Sequence, residues 1–573
     1  MKRKLLLSSL AWGMSLFFIS CKNGNSGDRN SISADSVTIA AGEKAFNQHC
    51  SGCHNFRRDG IGPQLSGITT KVSADWILHF IKNPQQVISS GNERGRQLFK
   101  KYKTLMPSFS TLQESDLNAI IAFLNVHRLS VQSAGKEMGN AIANPIPARI
   151  PLSNLVIHLK LLTQFPASVD SGKHPAARIT KLDFEPGTGD LFVLDLRGKL
   201  YKLQKNNKPV VWMDMAELRP AFVNEPGLAT GFGSFAFHPD YARNGIFYTT
   251  HTEKAGAAKA DFRYPDSIKV AMQWVLTEWK AKDPDASKFS GTSHELFRIN
   301  MLSGTHGMQE IVFNPLAKPG DQDYGLLYIG IGDGGSVDNG YPSFAHNLKT
   351  IWGTILRIDP GGRNSVNGQY GIPPDNPFVN NPGKIPGEIY AYGFRNPHRI
   401  SWTRSGAMLA CNIGQTNIES VNLIQPGHDY GWPVREGNFL LDPNGNLDKI
   451  YPLPANDSIF KFTYPVAEFD HDEGNAISGG FEYQGNKIPR LKGKYLFGDI
   501  PSGRLFFIKT ADIKQGKQAP VEEWKISLNG APETFREIIG AGRVDIHFGR
   551  DSQGELYILT KSDGKLYKLM QAE

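Results

Sequence analysis

Cysteine is scarce in this chain of 573 residues, which has four: Cys21, Cys50, Cys53 and Cys411. So few thiols exclude the disulfide framework of a small secreted protein, and we expect Cys411 to be a buried small hydrophobe. A long apolar run is also missing, because the stretch from Leu5 to Ile19 is too short and interrupted for a comfortable membrane span. The net charge of +8 comes without a long Lys/Arg run, which argues against a nucleic-acid partner.

Turn-forming residues, by contrast, are plentiful, since the chain has 59 glycines and 35 prolines. This composition favours a β-rich, loop-rich architecture over helical bundles. The length exceeds what one ordinary hydrophobic core serves, so two or more folded units are expected.

The N-terminus is typical of an export signal, because Lys2-Arg3-Lys4 precedes the apolar stretch. The segment Phe18-Ile19-Ser20-Cys21 resembles the bacterial lipoprotein box, in which the cysteine thiol takes a diacylglycerol. Phe18 departs from the usual aliphatic residue, and a secretory peptide with an incidental cysteine is the alternative. We expect residues 1–21 to be a lipoprotein signal and residues 22–36 a flexible tether. The protein would then lie in the bacterial cell envelope, periplasmic or on the outer surface, anchored to the membrane through Cys21.

A small helical domain is predicted for residues 37–130. Apolar residues recur at helical spacing in 74–83 and in 114–127. Residues 131–150 lack a strong pattern and contain two prolines, so they are predicted to be an interdomain linker.

The helical domain contains Cys50-Ser51-Gly52-Cys53-His54. In an exported protein this pattern predicts a covalent haem c, with both thiols added across the haem vinyl groups and His54 as the proximal iron ligand. A zinc site would require a second Cys/His pair nearby, and none follows in the sequence. A thioredoxin-like site would require a βαβ setting, whereas the flanks of the motif are helical. Haem is therefore the preferred interpretation.

Met106, in Leu105-Met106-Pro107, is the predicted sixth iron ligand. A thioether raises the reduction potential and closes the iron to chemistry, which suits electron transfer. His79 and His127 are the rival ligands, and core packing is the other interpretation of Met106.

The whole helical stretch resembles class I cytochrome c. The matching residues are Gly42 to Phe46, Cys50, Cys53, His54, Gly62-Pro63, Leu65, Gly67, Trp76, Met106-Pro107, Asp116, Ile120 and Phe123-Leu124. The resemblance implies that the Pro63 carbonyl orients the proximal histidine.

From residue 151 to 573 the sequence pattern is typical of β structure, with short predicted strands between glycine turns. An imperfect pattern of paired strands recurs at 189–203, 325–335, 493–508 and 554–569. Such repeats over this length predict an all-β propeller of about six blades, with a long β-sandwich as the lesser alternative. The expected fold is therefore multidomain, a small all-α domain followed by a six-bladed β-propeller.

Several segments of this region resemble the glucose/sorbosone dehydrogenase family, whose characterised members are six-bladed propellers that bind pyrroloquinoline quinone and calcium. The matching segments are 233–248, 326–336, 347–360, 372–383, 388–402, 421–437 and 466–485. The propeller also occurs in proteins not known to be enzymes, so fold alone does not settle activity.

The resemblance implies a set of site residues. His306 stands at the offset of the family's catalytic histidine and would accept the substrate's proton, with an ordinary loop histidine as the alternative interpretation. Arg395-Asn396 matches the pair that contacts the quinone, although a turn that braces a blade is the plainer interpretation. For calcium, Gly414 and Gln415 would offer carbonyls and Glu419 a nearby carboxylate. Asp333 and Asp472-Glu473 are weaker carboxylate candidates at loop tips.

The sequence also departs from the quinone-binding pattern. Ala229 stands where quinone-binding relatives place a glutamine or an acidic residue, and Ile413 stands where a glutamine precedes the calcium-binding glycine. Gly307-Met308-Gln309 replaces an Asn-Gly-Gly-type run. The lysine that contacts a quinone carboxylate falls in the region of Pro501. Loss of that cation should weaken the binding of a tricarboxylate.

Two functions follow from these patterns. The first is a quinone-dependent sugar or alcohol dehydrogenase that passes electrons to its own haem, then to an external acceptor such as a soluble cytochrome or a terminal oxidase. The second is a propeller that binds carbohydrate or a protein partner, with the haem in a separate redox role.

Overall fold

The computed structural model describes residues 32–50, 53–54, 56, 62–127, 139–168, 175–225, 229–381, 385–540 and 542–573. Cys21, the expected signal and most of the expected tether therefore lie outside the described residues. Helices dominate up to residue 126, and strands dominate from residue 152. The chain thus forms a small helical domain followed by a large all-β domain, here called the β domain (residues 152–573). Among the described residues, no helix has the length and apolar character that a membrane span requires.

Among the described residues, six helices build the helical domain: α1 (Ser36–His49), α2 (Ile68–Lys71), α3 (Ala74–Lys82), α4 (Pro84–Ser89), α5 (Glu93–Tyr102) and α6 (Glu114–Val126). The periodic segments 74–83 and 114–127 correspond to α3 and α6. The Asp35 carboxylate caps α1 by accepting from the Thr38 backbone N–H at 2.8 Å. α1 and α6 cross at Gly42, where a Cβ would lie 1.9 Å from the Ala119 carbonyl oxygen, so only glycine permits this approach.

The β domain contains 28 strands among the described residues. In chain order they are β1 (Leu152–Gln164), β2 (Ile179–Phe184), β3 (Leu191–Asp195), β4 (Lys199–Leu203), β5 (Pro209–Asp214), β6 (Phe232–Phe237), β7 (Ile246–Lys254), β8 (Met272–Ala281), β9 (Gly291–Met301), β10 (Met308–Phe313), β11 (Leu327–Ile331), β12 (Thr354–Ile358), β13 (Ile389–Tyr392), β14 (Pro397–Trp402), β15 (Met408–Asn412), β16 (Ile418–Leu423), β17 (Arg435–Glu436), β18 (Phe439–Leu441), β19 (Ile450–Tyr451), β20 (Ala467–Asp470), β21 (Ile477–Glu482), β22 (Lys494–Asp499), β23 (Leu505–Lys509), β24 (Glu522–Ser527), β25 (Pro532–Glu533), β26 (Ile546–Arg550), β27 (Leu556–Thr560) and β28 (Lys565–Ala572). Short helices interrupt them at α7 (Met215–Leu218), α8 (Tyr241–Asn244), α9 (Pro342–Ala345) and α10 (Phe535–Ile539).

The strands form antiparallel groups. Three four-stranded sheets are β6–β9, β10–β13 and β14–β15–β16–β20, and β17–β19 form a small sheet of three strands. The remaining 13-stranded sheet contains two parallel pairings, β24 with β1 and β26 with β2. These pairings separate it into β21–β24 with the edge strand β25, β26–β28 with β1, and β2–β5. β1 lies antiparallel to β28, so the first and last strands of the domain pair with each other.

The first strands of these groups meet at the centre of the domain. β2, β6, β10, β14, β21 and β26 contact one another in that order, and β26 contacts β2. Every residue of β6 and of β14 is buried, because these strands lie between neighbouring sheets. Loops at the starts of these central strands therefore converge on one face, where the candidate site lies.

One repeated segment differs from its predicted form. Segments 189–203, 493–508 and 554–569 each hold two paired strands, whereas 325–335 holds only β11. After β11 the chain enters the Gly332–Gly335 loop, in which Gly334 and Gly335 have positive φ. This loop turns into the site and does not continue into a hairpin.

The helical domain rests on the β domain through charged contacts. Lys101 lies 3.5 Å from Asp448, and Lys103 pairs with Asp472. Lys269 of the β domain reaches back to Glu43 on α1. The described end of the expected linker also packs there, since Ile142 forms a β-bridge with Ile450. The side chains of these pairs are partly exposed, so each pair by itself contributes little to docking.

Candidate functional site

The Cys-x-x-Cys-His motif begins at the end of α1. The Nδ1 of His54 donates to the Pro63 carbonyl at 2.8 Å, which is the contact that the cytochrome resemblance implies. This bond fixes the tautomer, so Nε2 is the ring nitrogen suited to bind iron. A Cβ on Gly62 would lie 2.4 Å from the His54 ring, so glycine is needed for the backbone of residue 62 to come this close to the imidazole.

Cys50 and Cys53 are free thiols in the described structure. Burial raises the pKa of Cys50 to about 12 and that of Cys53 to about 11. Thiolate-based redox or zinc sites need a lowered cysteine pKa, so this environment does not favour them. Among the described residues there is also no cluster of three or more His, Cys, Asp or Glu able to hold a metal ion.

Beside the motif lies a cavity with a mostly apolar lining. Its walls include Trp76, Phe80, Leu98, Leu105 and Met106, together with Cys50, Cys53 and His54. An apolar slot bounded by two thiols, an oriented imidazole and a thioether fits haem c.

Neither rival iron ligand lines this cavity. His79 is exposed. The ring of His127 stacks on Phe56 with centroids 3.7 Å apart, and its Nδ1 donates to the Phe123 carbonyl. Met106 is therefore the candidate that the structure brings to the same cavity as His54.

The same cavity continues into the β domain, where His306 lines it. His306 lies in the loop between β9 and β10, with a positive φ of 56°. Its Nδ1 is 2.7 Å from Asp333 Oδ1. Burial lowers the pKa of His306, and the positive charge of Arg395 lowers it further. The imidazole is therefore neutral at neutral pH, with the proton on Nδ1 and the acceptor at Nε2.

Asp333 is the positioning partner of this histidine. Its Oδ2 accepts from the Trp432 indole at 3.1 Å, and its Oδ1 also accepts from the Gly335 backbone N–H at 2.9 Å. Burial pushes the pKa of Asp333 upward, but the pairing with His306 holds it below the ordinary value. Asp333 was expected only as a weak calcium candidate, and the structure instead places it against His306.

Arg395 and Asn396 enter the cavity just before β14. Arg395 is 1% exposed, its Nε donates to Gln415 Oε1 at 2.7 Å, and its Nη1 donates to the Gly414 carbonyl at 2.6 Å. Its Nη2 has no hydrogen-bond partner among the described residues and lies 3.8 Å from Oδ2 of Asp338. The Asn396 side chain donates to Gln309 Oε1 at 3.2 Å. Both side chains thus make hydrogen bonds that brace neighbouring loops, and the Nη2 of Arg395 is left without a hydrogen bond.

The predicted calcium residues do not fit calcium as they are placed. The Gly414 carbonyl already accepts from the Arg395 guanidinium, which brings a positive charge to that position. The carboxylate of Glu419 is fully buried and accepts from His471, from the Gly414 N–H and from the Ile477 N–H. Asp472 and Glu473 lie outside the cavity lining, paired with Lys103 and Arg504.

Of the positions that depart from the quinone-binding pattern, Ala229, Gln309, Ile413 and Pro501 line the cavity, whereas Gly307 and Met308 do not. Further polar residues line it that the sequence reasoning missed, among them His398, Arg399, Arg543, His547 and Lys561. Arg543 lies three residues before the central strand β26, His547 is the second residue of that strand, and Lys561 follows β27. Lys561 gave no signal because Thr560-Lys561-Ser562-Asp563-Gly564 has the composition of an ordinary hairpin turn.

Comparison with known families agrees with this two-part architecture. The family described as glucose / sorbosone dehydrogenase matches residues 176–568, which is more than half of the chain. The chain belongs to the glucose/sorbosone dehydrogenase family. The cytochrome c family matches residues 39–127, so a cytochrome c domain precedes the dehydrogenase-family domain.

Similar proteins have names of more than one kind. The chain is 29% identical over 416 residues to the HIPL2 protein of Arabidopsis thaliana, covering 63% of this chain and 56% of that protein. It is 27% identical over 339 residues to quinoprotein glucose dehydrogenase B of Acinetobacter calcoaceticus, covering 54% and 64%. It is 25% identical over 338 residues to aldose sugar dehydrogenase YliI of Escherichia coli (strain K12), covering 58% and 74%. The chain spans about half the length of the HIPL relatives that it matches.

Solved structures support the fold of the dehydrogenase-family domain. A crystal structure of glucose dehydrogenase is 21% identical with a TM-score of 0.51, covering 72% of this chain and 99% of that one. The apo-form of the soluble aldose sugar dehydrogenase from Escherichia coli is 20% identical with a TM-score of 0.52, covering 72% and 99%. At these identities the likeness concerns the fold.

The family's quinone is a tricarboxylate, and the β-domain part of the cavity fits such a group. The buried Nη2 of Arg395 and both ring nitrogens of His547 have no hydrogen-bond partner among the described residues. Arg543 and Lys561 add positive charge to the lining. Unsatisfied donors beside buried cations favour an anionic ligand with several acceptor oxygens.

Proposed function

We propose that the chain is a haem-containing, quinone-dependent sugar dehydrogenase that passes electrons from its β-domain site to its own haem. The observation that carries this proposal is the single cavity lined by Cys50, Cys53 and His54 at one end and by His306 and Arg395 at the other. A shared cavity removes the need for a diffusing carrier between the two sites. The family match and the names of the Acinetobacter and Escherichia relatives support a sugar as substrate.

The proposed scaffold is a six-bladed propeller. Six four-stranded groups support it, three as separate sheets and three as parts of the 13-stranded sheet. Contacts from β2 through β6, β10, β14, β21 and β26 back to β2 are what a ring of blades would make. The pairing of β1 with β28 would close that ring.

When bound, the quinone would take a hydride from the sugar and the haem would take electrons singly. His306 would accept the sugar hydroxyl proton at Nε2, while Asp333 stabilises the charged ring through Nδ1. The unused Nη2 donor of Arg395 would hold an oxygen of the ligand and favour negative charge there. No step is assigned to calcium, since Arg395 occupies the Gly414 carbonyl.

The test is reduction of the haem by sugar. Full-length holoprotein is loaded with pyrroloquinoline quinone, a panel of aldoses is added, and the haem absorption spectrum is followed. We expect at least one aldose to reduce the haem, and His306→Ala to slow this by about 100-fold or more, because general base catalysis contributes about 10²–10⁴-fold. His428→Ala is the matched control, since His428 does not line the cavity. No reduction with any aldose, or an unchanged rate in His306→Ala, contradicts the proposal.

A binding module without quinone is the second candidate. One similar protein, the HIPL2 protein, is not named as a dehydrogenase, although it is 29% identical. In this case the β domain would bind a carbohydrate or a protein, and the cytochrome domain would carry electrons separately. Aldose binding without haem reduction in the experiment above favours this candidate.

We also propose export and attachment to the membrane through a lipid on Cys21, with an external cytochrome or a terminal oxidase as the final acceptor. The N-terminal sequence supports this, and Cys21 lies outside the described residues. In a bacterial host, Cys21→Ala is expected to move the protein from the membrane fraction to the soluble fraction and to abolish incorporation of labelled fatty acid. Retention in the membrane with no label in either form overturns the anchor.

A further inference from the structure

Lys561 is a buried lysine without a counter-ion in the described structure. It lies directly after β27, is 9% exposed, and lines the same cavity as His306 and Arg395. Its backbone is fixed on both sides, since its N–H donates to the Asp545 carbonyl and its carbonyl accepts from Ala177. Its ammonium group, however, has no hydrogen bond or ion pair among the described residues. A buried ammonium in that state costs stability, so a retained one points to a ligand.

The nearby carboxylate is already engaged. Asp545 pairs with Arg543, with the Nε of the arginine 2.8 Å from Oδ1 and 3.0 Å from Oδ2. Arg399 donates to the carbonyls of Thr180, Gln309 and His398, and its Nε lies 3.5 Å from Oε2 of Glu310. Of Lys561, Arg543 and Arg399, only Lys561 therefore has no carboxylate within ion-pair distance among the described residues.

Unsatisfied imidazole donors lie in the same region. Neither ring nitrogen of His547 has a hydrogen-bond partner among the described residues, and the His398 ring lies 5.6 Å from it with Nδ1 also unpartnered. Burial, and then the charges of nearby cations, hold the pKa of both histidines well below the ordinary value. They are neutral, so each can donate from one nitrogen, and the fixed positive charge comes from Lys561, Arg543 and Arg395.

We propose that Lys561 is the cation that anchors a carboxylate of the anionic cofactor in this cavity. This rests on the proposed function, and it names the residue that replaces the cation missing near Pro501. The ammonium would form a charge-assisted hydrogen bond to the carboxylate, beside the Arg543 guanidinium and the His547 ring. Replacement of Lys561 changes only the end of β27, so we expect it to leave the His306–Asp333 pair unchanged.

The titration of Lys561 gives the proposal a pH signature. Burial lowers the pKa of Lys561 to about 8; Arg178, Arg543 and Arg399 lower it, and Asp545 opposes them. A bound carboxylate favours the charged ammonium, so binding requires Lys561 to be protonated. Affinity should therefore fall as pH rises above about 8, while the histidines stay neutral and the arginines stay charged throughout that window.

The experiment measures binding by calorimetry on the full-length haem-loaded protein. Pyrroloquinoline quinone is titrated first, and benzene-1,3,5-tricarboxylate serves as a redox-inactive probe. We expect Lys561→Met to weaken quinone binding by about 10- to 100-fold at pH 7, the size of one charged hydrogen bond. Lys561→Arg should keep most of the affinity and lose the decline above pH 8. Lys565→Met is the matched control, because Lys565 on the same hairpin pairs with Asp563 outside the cavity.

Melting temperature separates an anchoring role from a structural one. The folded pKa of Lys561 lies below its unfolded value, so at pH 7 the protonated group opposes folding. We therefore expect Lys561→Met to melt at a higher temperature than the parent when no ligand is present. A lower melting temperature together with weaker binding would assign Lys561 to the fold and overturn the anchor.

Each remaining outcome decides between the two proposals. Quinone binding that Lys561→Met leaves unchanged overturns the anchor and leaves the dehydrogenase intact. Binding of the tricarboxylate alone, weakened by Lys561→Met, supports the anchor and overturns quinone use. If the parent protein binds neither compound, both proposals fail.

Discussion

His306 holds a backbone conformation that side chains rarely adopt. Its φ of 56° lies in the left-handed region, which costs about 1–3 kcal/mol for a residue other than glycine. The close approach of Gly332, where a Cβ would lie 2.5 Å from the His306 Cβ, packs the residue in place. Strain of this kind is retained where the surroundings fix a side chain for function, and here it aims the imidazole into the cavity.

Asp333→Asn tests the positioning of this imidazole. Without the carboxylate, the charged ring that forms during proton transfer loses its partner, so we expect kcat for sugar-dependent haem reduction to fall about 100-fold. The folded pKa of His306 is already below the ordinary value, and loss of Asp333 should move the acid limb of the pH profile to still lower pH. Stopped-flow measurement of kcat between pH 5 and 8 checks both effects.

Asp323→Asn is the control for this change, because Asp323 accepts from Tyr328 and Asn314 outside the cavity. A purely structural role for Asp333 would lower kcat without moving the acid limb. An unchanged kcat would remove Asp333 from the site.

At the scale of elements, short loops at the ends of helices and strands carry the chemistry. α1 ends at the haem motif, and the segment between α5 and α6 carries Met106. In the β domain the starts of the central strands carry Gln309, Arg395 and His547. Rigid neighbouring elements fix these loops, which is how a scaffold of regular strands holds a polar site.

Met106→Ala tests the segment between α5 and α6. Loss of the thioether should remove the near-infrared sulfur-to-iron band of the ferric haem and lower the reduction potential, because a thioether ligand raises it. Absorption spectroscopy and a potentiometric titration check both. His79→Ala should leave the band intact, since His79 is exposed and outside the cavity. A band that persists in Met106→Ala would exclude the sulfur ligand.

At the scale of the whole molecule, two domains share one cavity. The haem end and the His306 end face each other because charged residues hold the helical domain on the β domain, through Lys101 with Asp448, Lys103 with Asp472 and Lys269 with Glu43. Partly exposed pairs of this kind are weak one by one and are screened by salt. We therefore expect the strength of docking between the two domains to depend on the salt concentration.

Internal electron transfer should consequently depend on ionic strength. We expect the rate of sugar-dependent haem reduction to fall between low salt and about 1 M salt, where the Debye length shrinks to about 3 Å. Lys101→Glu should mimic high salt, and adding Asp448→Lys should restore the rate. Arg96→Glu is the control, since Arg96 pairs with Glu93 on its own helix. A rate independent of both salt and these substitutions would contradict docking through charges.

The sequence by itself determined the features that are local or covalent. Cys50, Cys53 and His54 are adjacent in the chain, so the haem motif needs no tertiary information, and the apolar spacing of α3 and α6 marks the helical domain. Glycine turns and strand composition indicated the all-β domain. His306, Arg395 and Asn396 came from family resemblance, and the structure places all three on one cavity.

Only the tertiary structure decided which groups meet. Asp333 pairs with a histidine 27 residues earlier, and Arg395 occupies the carbonyl expected for calcium. Lys561, whose sequence context is that of a hairpin turn, is a buried lysine that lines the same cavity as His306. The physical reason is that burial and counter-charge depend on residues that are distant in the sequence. These two quantities set the pKa and the binding role of an ionisable group.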